Sequence, residues 1–252
     1  MVPDPERSWG GNIARGLRGE ITRAALARRY LPAVAVAIAS GLCAAFALYP
    51  ADLHYSFFTH TISDLGDWSK NPLGWWGFAL AVWVLGVTFA PLYLYIHRRL
   101  SPDKRGMVRA GTLCSLVGCA GIFCLGIFDD VHLPLAGTLA WSDVHLFFVI
   151  VGFGGLGAGC YFHGHALPRN GALPTGAART QIPPWMLMIC LGVAAGISLV
   201  ANAVVYHDAE WAGFGPTSIS FWEWMILFGF IGYVFWMVLV LPAREVGPSA
   251  PQ

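Results

Sequence analysis

Histidine and carboxylate residues gather at three places in this sequence. One stretch holds Asp52, His54, His60, Asp64 and Asp67, a second holds Asp129, Asp130, His132, Asp143 and His145, and a third holds His207, Asp208, Glu210 and Glu223. Imidazole offers a neutral nitrogen near pH 7 and carboxylate a hard oxygen, so such neighbours can move a proton, fix a tautomer or share a metal ion. The most ordered stretch runs from Tyr55 to Asp67. As a helix it would put Phe58, Ile62 and Leu65 on an apolar stripe, with Ser56, His60, Ser63 or Asp64, and Asp67 on another face. Asp129 and Asp130 close an apolar run at what would be a helix C-terminus. Negative charge opposes the dipole there and calls for water, a cation or a protonated partner. Ser142 or Asp143 suits an N-cap, which leaves His145 in the first turn of the next helix. The candidate ligand pocket is therefore Ser56, His60, Ser63, Asp64, Asp129, Asp130, Asp143 and His145. A divalent metal ion held by His60, Asp64, Asp130 and His145 is chemically sensible, although zinc-type ligand spacings are missing. The competing reading is structural: the same groups bond loop backbone and cap helices.

The elements that must position these residues follow from composition. With 56% hydrophobic and 12% charged residues and a mean hydropathy of +0.60 over 252 residues, the chain is too apolar for a water-soluble domain. Six apolar runs, at 31–50, 73–96, 108–128, 144–162, 185–206 and 221–241, are long enough to cross a bilayer as helices. Alternating ten-residue strands are absent, which excludes a barrel. The expected fold is all-α, a six-transmembrane-helix bundle in which residues 31–242 form the membrane domain and 243–252 a short tail. A cleaved signal peptide is not expected, since roughly thirty polar and basic residues precede a first run that itself suffices to span. Fourteen of the fifteen lysines and arginines fall on one side of these runs, and only Lys70 falls on the other. The positive-inside rule then places both termini in the cytoplasm and the histidine and carboxylate clusters outside. The near-neutral formal charge of +1 gives no footing for nucleic-acid binding.

Residues 1–30 form a basic cytoplasmic segment. Within it, Ile13, Leu17, Ile21 and Ala25 recur every four residues among arginines, the pattern of an amphipathic interfacial helix meeting anionic lipids. The six cysteines, Cys43, Cys114, Cys119, Cys124, Cys160 and Cys190, all lie inside apolar runs, where small-residue packing explains them. Gly155 and Gly159 have the small-xxx-small spacing that lets helix backbones approach, within the chain or across a dimer. Pro91 is expected to kink the second run. Trp68, Trp75, Trp76, Trp141, Trp211, Trp222 and Trp224 fall near outer ends, as a headgroup-level belt or as the frame of a lipid site.

The run Tyr55-Ser56-Phe57-Phe58-Thr59-His60-Thr61-Ile62-Ser63-Asp64-Leu65-Gly66, followed by Asn71-Pro72, resembles the bacterial membrane family catalogued as domain of unknown function 998. That family is in turn similar to the eukaryotic DRAM and FRAG membrane proteins. The resemblance covers roughly Tyr55 to Gly159 and rests on Ile62 to Gly66, Asp129 with Asp130, and His145. It implies about six spans and no particular reaction. A weaker likeness, Ser56 and His60 as Ser-x-x-x-His, is to zinc-dependent membrane hydrolases such as alkaline ceramidases and adiponectin receptors. Their late His-x-x-x-His is missing here, and His163 and His165 fall at the cytoplasmic end.

These features lead to one expectation and one alternative. The expectation is a multi-pass cell-membrane protein whose polar outer mouth binds a lipid headgroup, a small ligand or a cation. The alternative is a metal-dependent hydrolase or lipid-remodelling enzyme at the outer leaflet, with His60 and His145 as ligands or base and Asp64 orienting. Transport is disfavoured, because mid-span carboxylates and an evident inverted repeat are lacking.

Overall fold

A computed structural model describes residues 16, 19–100, 104–128, 130, 134–136, 139–167, 186, 191–194, 196, 197, 200 and 218–241. Among these residues, five helices are long and apolar enough to cross a membrane: α1 (Arg23–Ala47), α2 (Trp75–Arg99), α3 (Arg105–Leu125), α4 (Trp141–Ala166) and α5 (Ile219–Val240). They coincide with five of the six expected runs. The remaining run, 185–206, falls mostly outside the described residues, and the positions described within it are helical. Between α3 and α4 a short antiparallel ribbon pairs β1 (Pro134–Ala136) with β2 (Leu139–Ala140), Pro134 opposite Ala140 and Ala136 opposite Leu139.

The helices are apolar outside as well as inside. Phe89, Leu92, Ile96, Ile122, Leu156 and Met237 are buried between them, while Val36, Leu113 and Ile150 are 65%, 65% and 64% exposed. A helix in water would carry polar residues on that outer face, and a lipid surround removes the need. With lipid on the outside, close backbone packing holds the helices together. A Cβ on Gly118 would stand 2.6 Å from the Leu156 nitrogen, and one on Gly155 would stand 2.7 Å from the Cys114 oxygen. The small-xxx-small stripe of α4 is thus spent within the chain, against α3. Cys43, Cys114, Cys119, Cys124 and Cys160 are free thiols.

Contacts at the helix ends give each element a direction. Arg98 pairs with Glu20 at 3.2 Å, the Lys104 ammonium donates to the His165 carbonyl at 2.6 Å, and the Arg23 guanidinium donates to the Leu239 carbonyl. Residues 20, 23, 98, 104, 165 and 239 therefore share one end of the bundle, here the basic end. The chain climbs from it in α1, returns in α2, climbs in α3 and returns in α4. Helix α5 starts again at the opposite end.

Two expectations change here. The helix expected over residues 12–30 does not run through its described part, because Gly19 turns with φ 73° and Glu20 and Ile21 are not helical. A Cβ at Gly19 would press on the Tyr95 backbone, which fixes this turn against α2. From Arg23, where the Thr22 hydroxyl caps the helix, the chain is already helical and continuous with the apolar run that follows. A π-turn at Leu26–Tyr30 lies just before Pro32, which has no N–H to return to the Arg28 carbonyl. Helix α2 is assigned without a break through Pro91.

Candidate functional site

The loop between α1 and α2 builds most of the opposite end. It is not the continuous helix expected over Tyr55 to Asp67. A 3-10 turn at Ala51–Leu53 leads to His54 at φ 46°, a turn closes from Ser56 to His60, and a second 3-10 turn forms at Ser63–Leu65. Side chains explain the breaks, since each competes for backbone groups that a helix would use. Ser56 Oγ accepts the Phe58 N–H, and His60 Nδ1 accepts the Ser56 N–H at 3.2 Å. Thr61 and Asp64 satisfy each other in the manner of a capping box: Asp64 Oδ2 accepts the Thr61 N–H at 2.9 Å and Thr61 Oγ1 accepts the Asp64 N–H at 3.2 Å.

The loop is nevertheless docked on the bundle through the apolar residues of that stripe. Ile62 and Leu65 are buried in the core, and the Phe58 ring stacks on Phe221. Asn71, fully buried, fastens the far side: Nδ2 donates to the Ala45 and Leu65 carbonyls at 3.0 and 2.9 Å, and Oδ1 accepts the Gly74 N–H at 3.1 Å. Asn71-Pro72 therefore joins the top of α1, the loop and the start of α2.

Two polar sets follow from this docking. In the first, His145 in the first turns of α4 is buried and places Nε2 3.0 Å from Ser63 Oγ and Nδ1 2.7 Å from the Phe128 carbonyl oxygen. A carbonyl can only accept, so Nδ1 carries the hydrogen, and in the neutral ring Nε2 accepts the Ser63 hydroxyl proton. In the second, Lys70 donates to Asp64 Oδ1 at 2.5 Å and stands 3.7 Å from Asp67 Oδ2. Asp67 also receives the Ser69 N–H and hydroxyl. Asp130 lies within electrostatic range of Lys70 and of Glu223. Burial pulls the Lys70 ammonium down in pKa, but the bond to Asp64 and the charges of Asp64, Asp67 and Asp130 outweigh it, and the net shift is upward.

Glu223, in the first turns of α5, links the sets: its Oε2 accepts the Ile62 N–H at 3.0 Å. Glu223 and Ser63 border a cavity of about 20 Å³, room for one water, walled otherwise by apolar side chains including Phe78, Val82, Ile122 and Leu125.

Of the residues singled out by sequence, Ser63, Asp64, Asp130 and His145 come to this end together. Asp129 lies outside the described residues. Asp143 accepts the Ala140 N–H at 2.8 Å, and Ser56 closes a local turn, so both have the structural roles that competed with ligand binding. His60 is drawn into an aromatic group instead, 5.3 Å from the Tyr55 ring and 6.1 Å from Tyr49, with Nδ1 taken by local bonds. The four-residue metal set thus loses His60, and among the described residues no three His, Cys, Asp or Glu side chains are grouped to hold a metal ion. Trp224, expected in the belt, is buried against Phe57 at 4.8 Å, whereas Trp68 and Trp76 are exposed. Burial also holds the Tyr55 phenol above its ordinary pKa, with the Asp64 and Glu223 charges adding to it. His163 lies 3.1 Å from Thr112 Oγ1 inside the bundle, not at the inner interface.

Lys70, Asp67 and Glu223 were absent from the expected pocket. The signal for Lys70 was its isolation as the lone cation on a side rich in carboxylates. No family model matches the chain, and no curated protein or solved structure shows a match to it.

Proposed function

We propose that this chain is an integral membrane protein crossing the bilayer six times with both termini in the cytoplasm, and that its outer end binds a zwitterionic lipid headgroup. The family of domain of unknown function 998 is the proposed relationship, on the residues Ile62 to Gly66 and Asn71-Pro72. The direction of the helices supports the sixth span. Helix α4 finishes at the basic end and α5 starts at the other, so the intervening chain crosses back, and 185–206 is its apolar run. Gathering of Arg23, Arg98 and Lys104 at one end supports the orientation.

The observation that carries the headgroup reading is a single ammonium, Lys70, set among Asp64, Asp67 and Asp130 with Glu223 nearby. Lys70 is 43% exposed while the two carboxylates it touches are nearly buried, so the cation faces outward and negative charge remains in excess behind it. That pattern complements a phosphate joined to an ammonium, the chemistry of a phosphoethanolamine headgroup. Thermal unfolding of the purified chain in nanodiscs tests it. Phosphatidylethanolamine should raise the midpoint relative to phosphatidylglycerol, and Asp64→Asn should remove the difference. A rise with calcium chloride instead would favour a cation site, and no dependence on either would refute ligand binding. For topology, Leu73→Cys should react with an impermeant maleimide from outside and Ser101→Cys should not, in a background lacking native cysteines. Reversed labelling would overturn the orientation.

A further inference from the structure

We infer that Ser63 is an acylatable nucleophile with His145 as its base, forming a site that cleaves short-chain carboxylic esters. This activity goes beyond headgroup binding and stands on Ser63 and His145, whatever the neighbouring carboxylates hold.

The geometry has three parts. Ser63 Oγ stands 3.0 Å from His145 Nε2, within the distance at which a base removes a hydroxyl proton. The Phe128 carbonyl at 2.7 Å from Nδ1 fixes the tautomer, so the free lone pair of the neutral ring points at the serine. In hydrolases with a serine and a histidine a third group performs this orienting task, commonly a carboxylate; here it is a main-chain oxygen at the end of α3. Third, Ser63 borders the cavity of about 20 Å³, whose walls, among the described residues, are apolar except at Ser63 and Glu223. A void that takes one water or a methyl group suits the methyl of an acetyl ester and leaves a long acyl chain without room.

The reaction balances with water as the only co-reactant. Ser63 Oγ bonds to the ester carbonyl carbon as its proton passes to His145 Nε2. The carbon–oxygen bond to the alcohol breaks, the alcohol takes that proton, and acetyl-Ser63 remains. Water then adds to the acyl carbon and gives a proton to His145; the serine oxygen leaves and recovers it, releasing the carboxylic acid.

A serine that merely tethers the loop to α4 would make the same hydrogen bond and would not be acylated. The discriminating experiment incubates the purified full chain in nanodiscs with p-nitrophenyl acetate, quenches in acid and maps the product by peptide mass spectrometry. The expected result is one acetyl group on Ser63, absent in Ser63→Ala, formed about 100-fold more slowly in His145→Gln and at an unchanged rate in Thr112→Val. Acylation of the wild type should also slow on acidification, because an imidazolium cannot accept the proton. That profile needs no variant to fold. The octanoate ester should react far more slowly than the acetate. A wild type with a cooperative thermal transition and no acetyl on Ser63 would overturn the proposal, as would a rate independent of both pH and His145. Equal or faster reaction of the octanoate would overturn the short-chain assignment. Lipid-dependent stabilisation with no acylation would remove the activity and leave the headgroup site standing.

Discussion

The two ends of the bundle carry opposite charges, and one of them also builds a loop-held polar cluster. At the basic end Lys104 donates to a carbonyl closing α4 and Arg23 to a carbonyl at the end of α5. Cations there complement helix C-termini. At the opposite end carboxylates accept N–H groups instead: Asp143 from Ala140, Asp64 from Thr61, Asp67 from Ser69 and Glu223 from Ile62. Beyond those bonds, that end adds the Lys70 cluster and the Ser63–His145 pair. Inside the bundle toward the basic end there is also a polar chain, in which Thr112 Oγ1 meets His97 Nδ1 at 2.8 Å, His163 Nε2 at 3.1 Å and the Val108 carbonyl at 2.8 Å. The contrast separates a charged, loop-built site from a histidine–threonine seam between helices.

The largest expected effect would break that contrast at its anchor. Asn71→Ala removes three hydrogen bonds from a buried side chain and leaves two carbonyls and an N–H behind, costing about 3 kcal/mol or more. Thr112→Val, at the other end, should cost about 1 kcal/mol. Thermal midpoints in one detergent decide it, and equal losses would show that the outer loop is no more tightly fastened than the inner seam.

A smaller effect probes the scaffold that both ends share. Gly155→Ala drives a methyl into the α3 backbone and should destabilise by about 1–3 kcal/mol. Among the described residues a methyl at Gly154 meets nothing within 4 Å, so Gly154→Ala should stay within about 0.5 kcal/mol of the parent. Similar midpoints for the two would mean that the α3–α4 contact is not the close seam described.

The smallest effect concerns Lys70. Its side chain is 43% exposed, so solvent screening limits the loss from Lys70→Met to about 1 kcal/mol at neutral pH. The sign with pH is determined by the upward shift. A cation whose folded pKa exceeds its unfolded value, near 10.4 for lysine, stabilises fully below that value. The contribution disappears as pH rises through the folded pKa. The difference between parent and variant should therefore be constant from pH 7 to 9 and shrink above about pH 10.4. A difference that grew with alkalinity would contradict the ion pairs.

What could be read from the sequence divides along the same line. Five of the six expected apolar runs are found as long apolar helices among the described residues, because hydropathy acts locally. Ser63, Asp64, Asp130 and His145 were all singled out from the sequence, and the structure puts them at one end of the bundle. Glu223 and Lys70 were placed on the same side but left out of the pocket, since a carboxylate meeting a backbone N–H 161 positions away depends on how the loop folds back. The loop's helical period was misleading for a related reason. Ser56, Thr61 and Asp64 sit at helix-like intervals, but their side chains take the backbone groups that a helix would need. His60 shares that spacing and is claimed by Tyr55 and Tyr49, a preference that periodicity does not encode.

The central claim is that the outer end binds a ligand and the inner seam does not. Titrating glycerophosphoethanolamine into the chain, held in nanodiscs of lipids without ethanolamine, measures it directly by calorimetry. The account predicts saturable uptake at one site per chain by the wild type and by Thr112→Val, lost in Asp64→Asn. No uptake by the wild type, or equal loss in Thr112→Val and Asp64→Asn, would contradict it.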